Sequence, residues 1–177
     1  MRNQVSLKMI VFILILGVAA LPSFAQRGDD AERASKNGQA AGTIDGVEVT
    51  VEYGRPNVKG REIWGGLVPY GKVWRTGADE ATTITLSGDV TVEGKALPAG
   101  KYAVFTIPNE DKWTVIFNKT AKQWGAFKYD SGQDALRVTV APKKADFVES
   151  LDFEIDGPAV VLRWDKLAVP VTINPAD

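Results

Sequence analysis

The sequence contains no cysteine and no histidine among its 177 residues. Histidine is the most frequent general base in enzymes, and histidine and cysteine are the side chains that dominate zinc sites. Their absence excludes serine–histidine hydrolysis, zinc catalysis and thiol redox chemistry. Because no disulfide bond can form, the fold must be stabilised by its hydrophobic core alone.

The sequence also lacks the short motifs that hold common cofactors. It has no Gly-x-Ser-x-Gly nucleophile elbow, no glycine-rich phosphate loop with its lysine, and no calcium-loop spacing. We therefore expect no cofactor and no metal site. Carboxylate pairs, lysine, tyrosine and oxygen-bound calcium or magnesium are the chemical possibilities that stay open.

The sequence also has no excess of positive charge. The 21 basic and 22 acidic residues of the whole chain include Arg2 and Lys8, so beyond residue 25 there are 19 basic and 22 acidic residues, a net charge of −3. Proteins that bind a phosphate backbone need clustered cations, which neither the total nor the spacing provides here. We expect no nucleic acid partner.

The first 25 residues have the pattern of an export signal. Arg2 and Lys8 flank or precede the apolar stretch 9–21, and residues 23–25 (Ser-Phe-Ala) match the small-x-small pattern of a signal-peptidase site. The stretch is shorter than the roughly 20 apolar residues of a spanning helix, which favours a cleaved signal over a retained membrane anchor. We predict cleavage after Ala25, no membrane span in the remaining chain, and a periplasmic or secreted protein.

The rest of the chain divides into a leader and one domain. Residues 26–42 are small, polar or charged without apolar periodicity, which predicts a flexible leader. Further on, apolar residues alternate with polar ones, as in Val47, Val49 and Val51, and this is the period of a half-buried strand. About nine such segments predict one antiparallel β-sandwich or jelly roll over residues 43–177, with an up-and-down barrel as the alternative.

Two of the predicted strands, residues 101–107 and 113–118, are apolar on both faces, which indicates central strands covered on both sides. The other segments show simple alternation and fall at residues 47–53, 84–86, 90–92, 136–140, 151–155, 160–164 and 169–173.

One connection in this pattern is unusually long. Residues 55–80 hold eight charged residues and five glycines together with Trp64, Tyr70 and Trp74. A connection of this length in a compact domain usually binds something or is ordered by its own packing, because an idle loop adds conformational entropy without burying surface. We place the candidate site here.

Several long motifs in and around this connection resemble a known family. They are VEYGRPNVKGR at 51–61, WGGLVPYGKVWRTGADEA at 64–81, LPAGKY at 97–102, WTVIFN at 113–118 and QWGAF at 123–127. In these motifs the chain is similar to the bacterial domain of unknown function family 2911, over nearly all of the sequence beyond the signal. The resemblance implies an exported all-β domain and implies no particular activity.

The side chains of the connection suit a non-catalytic binding domain for a small molecule, a glycan or an envelope protein. Arginine forks bind carboxylate or sulfate groups, carboxylates accept hydroxyl groups, and aromatic rings stack on flat groups. The loop around residue 124 supplies either a cap for the core or the far wall of a pocket. The candidate ligand-binding residues are Arg61, Trp64, Tyr70, Trp74, Arg75, Asp79, Glu80 and Trp124.

A hydrolase that cleaves a saccharide with two carboxylates is the enzymatic alternative. Such a site needs two acids about 5 to 9.5 Å apart, one of them protonated. The candidates are Glu62, Asp79 and Glu80. If Asp79 and Glu80 begin a strand, their side chains point to opposite faces, so Glu52 or Glu62 must supply the partner.

A structural or accessory envelope protein is the third interpretation. Large aromatic residues most often lie in cores, so the connection could close one end of the sandwich. Arg75 is then expected to pair with Asp79 or Glu80, and Trp113 and Trp164, in regular strand positions, are expected to be structural. The residues of this plug would be Trp64, Leu67, Val68, Tyr70 and Trp74.

Overall fold

The computed structural model describes residue 27 and residues 29–176 and shows an all-β protein. The predicted export signal and its cleavage site lie outside the described residues. In the part that is described, no helix has the length and apolar character needed to cross a membrane. The strands are, in chain order, β1 (Lys36–Ile44), β2 (Val47–Arg55), β3 (Thr82–Leu86), β4 (Val90–Val92), β5 (Lys95–Leu97), β6 (Gly100–Ile107), β7 (Trp113–Asn118), β8 (Asp134–Val140), β9 (Lys143–Asp156) and β10 (Ala159–Pro175).

The strands form two antiparallel sheets that bury their facing sides against each other. The larger sheet has the order β1-β2-β3-β6-β7-β8, and the smaller one has the order β5-β4-β10-β9. Alternation at period two turns every second side chain towards the other sheet, and in β2 it buries Val49 and Val51 completely. The predicted antiparallel sandwich is confirmed, and the barrel alternative is wrong because the sheets are separate.

β6 and β7 are covered on both faces, as their sequences predict. One face contributes Val104 and Val115 to the main core between the sheets. The opposite face contributes Phe105 and Ile116 to a second, smaller core. The ring of Tyr129 lies 5.0 Å from that of Phe105, so the loop after β7 packs on the outer face of the larger sheet.

Residues 36–42 differ from the flexible leader that their composition predicts, because they form most of β1. This strand pairs with β2 along its whole length. A side chain at Gly38 would lie 2.5 Å from the ring of Tyr53, and one at Gly42 would lie 3.2 Å from Ile155. Side chains of other strands fill the space beside these two glycines. The sequence of β1 therefore shows no alternation of apolar and polar residues.

β10 also differs from prediction, since it joins the two predicted strands 160–164 and 169–173 into one. Its pairing with β9 shifts register on both sides of Asp165, whose φ is 52°. A bulge of this kind breaks the side-chain alternation without ending the strand. Asp45 and Gly46, both at positive φ, join β1 to β2 as the type I′ hairpin turn requires.

The long connection between β2 and β3 folds back along the larger sheet. Trp74 exchanges backbone hydrogen bonds of 2.8 and 2.9 Å with Thr106 of β6, beyond the last residue of β6 that pairs with β3. Val58, Ile63 and Val68 are buried in the main core. The connection is thus an ordered part of the sandwich, and it holds its polar side chains in fixed positions.

Candidate functional site

The tryptophans of the connection belong to an aromatic cluster with two strand tryptophans. The ring of Trp64 lies 4.9 Å from that of Trp113, edge to face, and the ring of Trp74 stacks on Trp164 at 5.9 Å with 19° between the planes. Trp113 and Trp164 are almost completely buried, which confirms their predicted structural role. Trp64 and Trp74 are half-buried and close one end of the core.

The plug prediction is correct for part of the connection only. Val68 is buried, but Leu67 is 46% exposed and Tyr70 is 36% exposed. The ring of Tyr70 lies over Gly65 at the surface, where a side chain at Gly65 would approach it to 3.1 Å. Tyr70 therefore lines neither of the two cavities described below.

A cavity of about 380 Å³ opens beside the aromatic cluster. We call it the arginine pocket, because its charged lining consists of Lys59, Arg61 and Arg75, with no acidic residue. The apolar lining is formed by Pro56, Leu67, Val68, Trp74 and Trp164.

Arg75 is the most buried of the three charges in the arginine pocket. Burial lowers the pKa of its guanidinium, and the nearby Asp79 acts in the opposite direction. Its Nε is buried without a hydrogen-bond partner, and Arg75 forms no ion pair with any described residue. The predicted pairing of Arg75 with Asp79 or Glu80 is therefore wrong.

Arg61 is held at the pocket by its own loop. Its Nε donates a 3.0 Å hydrogen bond to the carbonyl of Val58, and its Nη2 donates to the carbonyl of Asn57. These two bonds fix the plane of the guanidinium and leave other N–H groups free to meet a ligand. Residues 34 and 35, just before β1, complete the wall of the pocket.

A second cavity, of about 320 Å³, contains Glu80, one of the three acidic candidates; Asp79 and Glu62 do not line it. We call it the glutamate cavity, because Glu52 and Glu80 both line it. Lys101 donates a 2.6 Å hydrogen bond to Glu52, which is buried. Other lining residues are Arg27, Thr83, Lys122, Gln123 and Trp124.

Two arginines from the segment before β1 neutralise Glu80. Arg33 donates hydrogen bonds of 2.7 and 2.6 Å to its two carboxylate oxygens and also reaches Asp79 at 3.4 Å. Arg27 is buried and donates to the carbonyls of Glu80 and Ala81 at 3.2 and 2.8 Å. Asp79 has a φ of 62° and precedes β3, so the expectation that Asp79 and Glu80 point to opposite faces of a strand is wrong.

Glu80 lacks the property that the general acid of glycoside hydrolysis needs. The hydrogen bond from Arg33 lowers the pKa of Glu80, so this carboxyl is held ionised and cannot act as the general acid. Glu62 is exposed and lines neither cavity. Among the described residues, no three acidic side chains come together in a way that could hold a metal ion.

Most of the predicted ligand-binding residues thus belong either to the arginine pocket with its aromatic cluster or to the glutamate cavity. Arg61, Trp74 and Arg75 line the arginine pocket, with Trp64 behind them in the aromatic cluster. Glu80 and Trp124 line the glutamate cavity. Lys59, which sequence reasoning missed, is in the motif 51–61 that carries the family resemblance.

Comparison with known proteins identifies the family. The model of a protein of unknown function family, DUF2911, matches residues 35–173. The chain belongs to the DUF2911 family. No curated protein and no solved structure matches it. In this DUF2911 protein the match includes both the arginine pocket's cations and the acids of the glutamate cavity, but it begins after Arg27 and Arg33.

Proposed function

We propose that this DUF2911 protein is an exported, non-catalytic binding domain for a small organic anion, which it holds in the arginine pocket. The observation that carries the proposal is the half-buried guanidinium of Arg75, which opens beside Lys59 and Arg61 without an acidic partner in the lining. Export rests on the predicted signal in residues 1–25.

The physical argument starts from the cost of an uncompensated charge. Buried and half-buried charges in proteins are normally paired, because removal from water disfavours the charged form. Glu80, Glu52 and Asp134 in this chain follow that rule, each with a basic partner. Arg75 does not, and a carboxylate or sulfate group bound to its planar fork would supply the missing counter-charge.

The shape and lining of the pocket restrict the ligand further. A volume of about 380 Å³ is within the range of small-molecule sites. Trp74, Trp164 and Leu67 offer flat and apolar surface next to the cations. This combination favours a flat apolar group that carries one acidic group, and it disfavours a neutral glycan.

Calorimetric titration of the protein, expressed from its full-length sequence, with benzoate, sulfate and benzamide tests the proposal. We expect benzoate to bind more tightly than sulfate, and the neutral benzamide not to bind. Arg75→Met should weaken benzoate binding at least tenfold, as expected for a lost hydrogen bond to a charged group.

Lys72→Met is the matched control, because Lys72 is an exposed cation of the same connection that does not line the pocket. It removes the same charge and should leave benzoate binding unchanged. Equal losses in the two variants would show a general effect of charge and contradict the proposal. The absence of heat with benzoate and sulfate would support a structural or accessory role instead.

A further inference from the structure

The loop after β7, residues 119–130, carries the two most exposed large apolar side chains of the described residues. Trp124 is 60% exposed and Phe127 is 88% exposed. We call this segment the aromatic loop. Exposed aromatic residues that lie together commonly mark a surface that contacts a partner or a membrane.

The aromatic loop is firmly attached to the larger sheet. The backbone N–H of Gly125 donates to the carbonyl of Asp79 at 2.9 Å, and the carbonyl of Gln123 accepts from Ala81 at 2.9 Å. The side chain of Gln123 donates to Asn118 and to the carbonyl of Thr120. The two aromatic side chains are thus presented by an ordered backbone, and little entropy is lost when they meet a binding surface.

The aromatic loop also carries three exposed lysines. Lys119, Lys122 and Lys128 form no ion pair with any described residue. Arg33 binds the nearby Asp79 and Glu80, and Arg137 binds Asp134. Asp130 accepts from the neutral N–H of Gly132, so the loop holds three lysines against one carboxylate that forms no ion pair with a described residue. The aromatic loop therefore presents uncompensated positive charge.

We propose that the aromatic loop attaches this protein to an anionic membrane surface. Trp124 and Phe127 would enter the interfacial layer, where aromatic residues are favoured, while the lysines contact acidic headgroups. Lysine is depleted at protein–protein interfaces, so the lysines favour a lipid surface over a protein partner.

Sedimentation with lipid vesicles tests this inference on the protein expressed from its full-length sequence. We expect binding to vesicles of phosphatidylglycerol and phosphatidylcholine, a steep loss of binding with added salt, and no binding to vesicles of phosphatidylcholine alone. Trp124→Ala combined with Phe127→Ala should weaken binding at least tenfold. Each of Lys119→Ala, Lys122→Ala and Lys128→Ala should weaken it about fivefold.

Phe147→Ala is the matched control, because Phe147 is 53% exposed on β9 of the smaller sheet. It should bind vesicles like the parent protein. Circular dichroism of each variant checks that the fold is intact. The other four tryptophans belong to the aromatic cluster, which is separate from the loop. A blue shift of the tryptophan emission on vesicle binding should therefore come from Trp124 and be absent in Trp124→Phe.

Three results would overturn the inference. One is no sedimentation with phosphatidylglycerol vesicles at low salt, in which case a protein is the better occupant of the loop. Another is vesicle binding that survives the double aromatic variant. The third is equal weakening by Phe147→Ala. Benzoate binding should be unaffected in the double variant, so this test is independent of the arginine pocket.

Discussion

The arginine pocket and the glutamate cavity both include residues of the connection between β2 and β3, but they differ in whether their charges are paired. In the glutamate cavity Glu80 has Arg33 and Arg27 beside it, and Glu52 has Lys101. In the arginine pocket, Arg75 has no ion-pair partner among the described residues. A cavity with compensated charges indicates a role in stability, and one with uncompensated charges indicates a role in binding.

The largest effect that follows from this comparison is on stability at the glutamate cavity. Glu80→Ala leaves the buried Arg27 without its carboxylate and leaves Arg33 only its longer contact with Asp79, and we expect a loss of about 3 kcal/mol in the free energy of unfolding. Urea denaturation measures it. The control is Glu154→Ala, which removes an exposed ion pair to Arg163 and should cost less than about 1 kcal/mol. Similar losses in both variants would break the comparison.

Benzoate bound in the arginine pocket should stabilise the folded protein. At a benzoate concentration of 100 times its Kd, the free energy of unfolding should rise by about 2.7 kcal/mol, since only the folded state binds. The same concentration should have little effect on Arg75→Met. A thermal or urea denaturation series with and without benzoate measures the difference. Stabilisation of Arg75→Met by the same amount would place the ligand elsewhere.

The pH dependence of stability distinguishes the cavities further. The pKa of Glu80 is lowered in the folded state from 4.5, chiefly by the hydrogen bond from Arg33. The unfolded chain therefore takes up the proton first, so the contribution of Glu80 is complete above this value and decreases as the pH falls below it. The difference in unfolding free energy between parent and Glu80→Ala should shrink as the pH falls through 4.5 and below it. A constant difference would contradict the assigned pairing.

The smallest effect is expected from Arg75→Met in the absence of ligand. Because Arg75 has no ion pair to lose, its replacement should leave the free energy of unfolding unchanged or raise it by up to about 1 kcal/mol. Urea denaturation beside Lys72→Met measures this. A loss of several kcal/mol would mean that Arg75 supports the fold, and the distinction between the two cavities would then disappear.

Much of the fold could be predicted because alternation reports directly on which side chains face the core. The alternation of Val47, Val49 and Val51 identified β2, and the apolar faces of β6 and β7 identified central strands. Most of β1 was not predicted, because Gly38 and Gly42 leave room for side chains of other strands. The side chains that cover β1 at these positions are those of Tyr53 and Ile155, which lie outside β1 in the sequence.

The site was harder to predict than the fold. Composition directed attention to the connection, and Arg61, Trp74 and Arg75 lie together at one pocket. Glu80 lies in the other cavity, where the arginines before β1 bind it. Nothing in the polar segment that contains these arginines predicts a contact with residue 80. Long-range ion pairs of this kind leave no periodic signal in a sequence.

The attachment of Arg33 to Glu80 also bears on where this protein begins as a working unit. Residues 34 and 35 form part of the wall of the arginine pocket, and Arg33 immediately before them is bound to the connection at Glu80. The family match starts only at residue 35. A fragment that begins at residue 35 would keep all of β1 and yet lose the arginines that bind Glu80, so the folded unit begins at or before Arg27.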